Sequence, residues 1–167
     1  MRRTVHLPGL AALLLTLLGV TLSSAVQAQD LPKDMVALKV VQKVTHDPAS
    51  AYLLPLAPPV AVIKSVGTAE GAPIGQVSVI ESQRGQYGVD GKVLFYQGTG
   101  IWTAANGDAI FYTFLGLGSE TTEAFLITGG TGRFQGATGS GGGTYTTNAD
   151  FTEFTITLVG FISAPKP

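Results

Sequence analysis

Between Leu126 and Tyr145, eight of twenty residues are glycine, and apolar, strand-like sequence flanks the run on both sides. Glycine accepts positive φ and close backbone approach, and it loses more entropy on ordering than any other residue. A run this rich in glycine is either a loose linker or a bend that needs the freedom. Arg133, Phe134 and Ala137 interrupt it and strand-like sequence resumes at once, which favours the bend. The stretch therefore reads as a tight, repeatedly turning connection: Gly129, Gly130 and Gly132 make the turn, and Phe134 pins it as a single buried aromatic.

The first residues read as an export leader rather than as part of a fold. Arg2 and Arg3 give a basic start, Leu10 to Val20 is almost wholly apolar, and Val26-Gln27-Ala28 offers a small-residue cleavage site. That order marks a secretory signal peptide, and the apolar run is shorter than the roughly 20 residues a membrane-spanning helix needs. The expected division is a signal peptide at 1–28 and one domain at 29–167, exported to the periplasm or secreted, with no membrane span after cleavage.

Without the leader, the chain carries fewer basic than acidic side chains. It has no surplus cation to neutralise phosphates, so nucleic acid is not expected as a partner. Cysteine is absent, which leaves the core alone to hold an exported domain together. His46 is the one histidine beyond the leader, so a site built on several imidazoles is excluded while an all-oxygen calcium site is not. No Gly-Lys-Ser/Thr follows the glycine run, so it is not a phosphate loop. No metal and no cofactor are expected.

Hydrophobic periodicity beyond the leader is that of strands. Val36, Leu38, Val40 and Val44 alternate with Lys39, Lys43 and Thr45, a half-buried strand expected to end at Thr45-His46-Asp47-Pro48. Val60 to Val66 is a second strand and Gly67 to Pro73 a loop. Ile74 to Arg84 is a third, with Val77, Val79 and Glu81 on one face. Asp90-Gly91 and Asn106-Gly107 are hairpin signals that separate Val93–Thr103 from Ala109–Leu117. Thr122–Thr128, Gly143–Thr147 and Phe151–Phe161 complete the set. The expected class is all-β: a single antiparallel barrel of about eight strands, the size that encloses side chains or one small ligand. A membrane barrel is disfavoured, because Glu153, Thr155 and Thr157 share the face that lipid would need.

Gly129-Gly130-Thr131-Gly132-Arg133-Phe134, with Gly136 or Gly139 beyond, resembles the GGTG-x-F turn of the dirigent and allene oxide cyclase-like barrel superfamily. Val44-Thr45-His46-Asp47 is similar to the His-Asp that ends the first strand of dirigent proteins, and Thr122-Glu123 stands where they often carry Arg-Glu. With the leader, the chain resembles a bacterial exported member, over about Met35 to Phe161. The resemblance implies an eight-stranded barrel, often a homotrimer, whose lumen holds a hydrophobic or phenolic intermediate and steers its coupling or cyclisation. Thr122 and Thr138 depart from the family by replacing arginines.

Asp47 and Glu123 are the candidate catalytic residues. A carboxylate at a strand end facing the lumen would act as acid or base, its pKa raised by burial, although Asp47-Pro48 is also an ordinary turn. Glu123 shares a face with Phe125 and Ile127, where a lone carboxylate calls for a partner; Arg133 is the candidate. His46, Tyr87, Tyr96, Trp102, Tyr112 and Arg133 are the candidate ligand-binding residues, the aromatic ones offering flat faces with polar tips, although aromatics on strands are also plain core. Three functions follow: an exported barrel that binds a small apolar or aromatic molecule, an isomerase or cyclase using Asp47 or Glu123, or a non-catalytic envelope protein.

Overall fold

The computed structural model describes residues 31, 33–54, 56 and 58–167, so the leader and its cleavage site lie outside the described residues. Eight strands follow one another: β1 (Met35–Leu54), β2 (Val60–Ala72), β3 (Gly75–Tyr87), β4 (Val93–Ala104), β5 (Ala109–Leu117), β6 (Thr122–Gly130), β7 (Gly139–Thr147) and β8 (Glu153–Ser163). Each pairs antiparallel with the next, and β8 returns to β1 from Met35↔Ser163 to Thr45↔Glu153, closing the barrel. Closure satisfies both edges of the sheet. Among the described residues the one helical element is a 3-10 turn, Gly132–Phe134.

The alternation read from sequence decides which face is inside. Leu38, Val40, Val44, Val77, Val79, Ile156, Leu158 and Ile162 are buried in the lumen, while Lys39, Lys43, Gln76, Ser78 and Thr155 are exposed outside. The inner face is thus predominantly apolar, while the outer face mixes these polar residues with exposed Val66, Ile80, Ile101, Phe111, Leu115 and Leu126. Among the described residues no helix is long and apolar enough to cross a membrane.

Three expected strand limits are corrected. β1 does not end at Pro48; it runs on to Leu54 through a register shift between Asp47 and Tyr52. At the shift Asp47 Oδ1 accepts the Ala49 N–H (3.0 Å), the Ser50 hydroxyl donates to the Asp47 carbonyl (2.7 Å), and Ser50 Oγ accepts the Lys64 N–H (2.8 Å). A serine side chain thereby stands in for broken ladder bonds, so proline sits in a bulge instead of ending the strand. Gly67 to Ala72 is strand, not loop, because β1 crosses so close that a Cβ at Gly67 would strike the Lys43 carbonyl. Gly139 to Gly143 likewise belongs to β7, so turning is confined to the residues between Gly130 and Gly139.

Inward-facing glycines have a second role, which fixes the shape of the core. Gly98 lies opposite Phe114, Gly100 opposite Tyr112, Gly116 opposite Tyr96, Gly141 opposite Phe125 and Gly143 opposite Leu158. In each pair a Cβ on the glycine would run into the facing side chain. Large side chains, four of them rings, thus lie across the neighbouring strands in the space the glycines leave.

The glycine bend closes one end, here called the base. Gly132 (φ 56°) and Gly136 (φ 74°) take the left-handed conformation on either side of Phe134, which is 2% exposed. The turn is tied to β5 by Thr131 N–H donating to the Ala109 carbonyl and by Ala109 N–H donating to Thr131 Oγ1. Arg133 straps it from outside, its guanidinium 4.6 Å from the Phe134 ring centre and donating to the Ile74 carbonyl (2.9 Å). Its Nε lies 3.7 Å from Asp108.

Candidate binding site at the barrel mouth

Two layers of polar side chains occupy the lumen. The deeper one is assembled from β1, β3, β4 and β5. Gln42 Nε2 donates to Glu81 Oε1 (2.7 Å), Trp102 Nε1 donates to Gln42 Oε1 (2.8 Å), and the Tyr112 hydroxyl donates to Glu81 Oε1 (2.6 Å). All four residues are buried, and the Trp102 and Tyr112 rings stack with centres 4.5 Å apart. Burial pushes the Glu81 carboxyl upward, opposed by the hydrogen bonds from Tyr112 and Gln42. Burial, and then the Glu81 charge, push the Tyr112 hydroxyl far up.

The upper layer lies at the end opposite Phe134 and takes one residue from each strand: His46, Ser65, Gln83, Tyr96, Gly116, Glu123, Tyr145 and Phe154, in order from β1 to β8. The six largest are half-buried, unlike the fully buried residues of the deeper layer. Gly116 leaves β5 without a side chain, and across that gap Tyr96 reaches from β4 to β6, where its hydroxyl donates to Glu123 Oε2 (3.3 Å). Aromatic neighbours complete the circuit: Tyr96 to Tyr145 (6.3 Å between centres), Tyr145 to Phe154 (5.9 Å) and Phe154 to His46 (4.5 Å).

The surroundings of His46 disfavour its charged form. Gln83 Nε2 lies 3.1 Å from its Nε2, and Ser65 Oγ lies 2.8 Å from its Nδ1. An amide N–H toward Nε2 makes that nitrogen the acceptor, so Nδ1–H donates to the buried Ser65; this tautomer is assigned from the network. Burial lowers the pKa of His46 further. Glu123 moves the other way: burial first, then the charge of Glu81, push its carboxyl up to about 7, against the Tyr96 hydrogen bond.

That shift has a consequence for stability. The folded state holds the Glu123 proton more tightly than the unfolded chain, whose carboxyl ionises near 4.5. The stability associated with it is therefore complete below about pH 4.5 and is lost as the pH rises toward about 7. Between pH 5.5 and 8.5 the wild-type protein should lose about 2 kcal/mol more than Glu123→Gln, read from urea unfolding at the two pH values. Equal losses in the two proteins would contradict the shift.

The candidate residues named from sequence divide between the mouth and other places. Glu123, Tyr96 and His46 meet at the mouth. Trp102 and Tyr112 lie below it in the packed layer. Tyr87 is half-buried at the end of β3, where its N–H donates to the Pro59 carbonyl. Asp47 is exposed, on the outer parity of Lys43 and Thr45, and serves the bulge; it does not face the lumen. Arg133 does not partner Glu123, because it belongs to the base and pairs with Asp108. Thr122 and Thr138 are exposed.

Sequence reading missed Gln42, Glu81, Gln83, Ser65, Tyr145 and Phe154 as site residues. Gln42 carries a usable signal: a polar residue between Val40 and Val44 on the buried parity. Glu81 carries the same signal beside Val77 and Val79. Two surface grooves lie elsewhere, one around Lys43, Glu70 and Ser78 and the other around Arg84, Thr99 and Leu126. Both are on the outer wall and gather no network of buried polar groups, so the mouth is the stronger candidate.

No family model matches the chain, and no curated protein matches it. A solved structure does: the pterocarpan synthase dirigent protein GePTS1 superposes with a TM-score of 0.54 over 87% of this chain and 99% of that one, at 14% identity. The chain has the dirigent-like barrel fold. At that identity the likeness is one of architecture. What the dirigent-like barrel does here must be argued from its own lumen, where a carboxylate and three aromatic rings ring the mouth above a filled core.

Proposed function

We propose that this is an exported binding barrel whose mouth holds a small hydrophobic or phenolic molecule and steers its coupling or cyclisation. The observation that carries the reading is the girdle of half-buried aromatic side chains, contributed by separate strands and surrounding one carboxylate. Aromatic walls bury a ring-containing guest, and the few polar groups orient it. Exposed apolar residues around the rim, Leu53, Leu56, Val89, Leu94, Leu117 and Phe151, favour the approach of such a guest. Steering then works by confinement, because a guest held in one orientation reacts along fewer paths. The sequence of the leader supports export. The outward row Val66–Ile80–Ile101–Phe111, paired across four strands and exposed, supports a homo-oligomer.

A second reading is favoured by Glu123 alone. A carboxyl with a pKa near 7 is matched to proton transfer at neutral pH, so the barrel would act as an isomerase or cyclase. One experiment separates the two. A phenol coupled by a one-electron oxidant in the presence of the protein should give a product ratio unlike that in buffer, and Glu123→Gln should retain the bias. Loss of the bias in Glu123→Gln with ring binding intact would favour acid–base catalysis. A buffer-like ratio together with no binding of any aromatic probe would overturn both.

A further inference from the structure

The electrostatics of the lumen are one-sided. Among the described residues every lysine, and Arg84, is exposed on the outside, and Arg133 lies at the base. The titratable groups facing the lumen are Glu81 and Glu123, the tyrosines Tyr96, Tyr112 and Tyr145, and His46. His46 lies between Ser65 and Gln83, where burial disfavours its charged form. Glu81 is engaged by Gln42 and Tyr112, whereas Glu123 receives one hydrogen bond, from Tyr96. A carboxylate without a cation in a half-buried site is costly, and among the described residues none supplies a cation to relieve it, which leaves a proton. The rings of Tyr96, Tyr145 and Phe154 follow one another in the same layer as Glu123, and ring faces attract cations.

We propose that the guest of this mouth carries a cationic nitrogen beside its hydrophobic part, an aromatic or alkyl ammonium, with Glu123 as its counter-charge and the three rings as its walls. The proposal rests on the ligand-binding reading above and adds the charge of the ligand. An anionic guest would meet carboxylates and no cation. A neutral guest would gain burial but leave Glu123 to its proton. An ammonium does both tasks: it fills the aromatic girdle and takes the place of that proton.

The test uses the purified protein and three probes: benzyltrimethylammonium, whose charge does not titrate, its neutral carbon isostere neopentylbenzene, and phenylacetate. Binding is read by calorimetry and by the fluorescence of Trp102, the one tryptophan of the chain, which is linked to the mouth through the rings of Tyr112, Phe114 and Tyr96. At pH 8.5 the ammonium should bind about tenfold or more tighter than its isostere, the scale of one cation–π contact plus a partly buried ion pair. The preference should shrink at pH 5.5, where Glu123 holds its proton. It should fall to near parity in Glu123→Gln at both pH values, while Tyr145→Leu should weaken the ammonium more than the isostere. Equal binding of ammonium and isostere, independent of pH, would overturn the charge assignment and leave the binding reading standing. Binding of none of the probes would remove the binding reading itself.

Discussion

Phe134→Ala should lower the free energy of unfolding by about 3–5 kcal/mol, the range for truncating a buried aromatic. Phe134 closes the base of the barrel and is 2% exposed, so its removal leaves a hole that the wall strands cannot collapse to fill. Those strands are fixed by ladders on both sides all the way round. The guanidinium of Arg133 would also lose the ring beneath it. Urea unfolding followed by Trp102 fluorescence measures the effect; a loss under about 1 kcal/mol would show that the bend is held by its backbone bonds alone.

Gln42→Leu should be nearly as damaging, at about 2–4 kcal/mol, for a different reason. Its side chain joins three partners, donating to Glu81 and accepting from Trp102 and, at 3.3 Å, from the Tyr112 hydroxyl. Leucine fits the space but leaves the indole N–H without an acceptor and removes one of the donors that hold the Glu81 carboxyl, each such loss costing about 1–3 kcal/mol. Because both residues belong to one network, Gln42→Leu with Glu81→Leu should cost less than the sum of the two single changes. Additive losses would mean that the four residues act separately. A change in Trp102 emission in the single variant, with near-native secondary structure, would confirm that the indole has lost its partner.

Local signals carried much of the architecture. Ala109–Leu117 was read with the limits the structure shows, because Asn106-Gly107 and Gly118 bound a run that alternates without interruption. β1 was read on the correct face from Val40 and Val44 but ended too early, since a proline signals an end unless a side chain such as Ser50 bridges the gap. The site was legible only in fragments. Glu123, Tyr96 and His46 could each be suspected as polar or aromatic residues on a buried parity, but nothing local says that they share one opening. Assigning Arg133 to Glu123 failed for the same reason: the two are close in sequence, and β6 carries them to opposite ends of the barrel.

By itself, the amino-acid order determined that this chain forms strands, which faces are apolar, where hairpins turn, and that a glycine bend surrounds one aromatic. Those outcomes depend on residues within a few positions of each other, where period and turn chemistry act. Tertiary structure alone decided the register in which the expected barrel closes, that glycine faces a ring on the neighbouring strand, and that His46 from the first strand meets Phe154 from the last. These contacts depend on the register between strands distant in the chain, which is set by packing around the whole barrel.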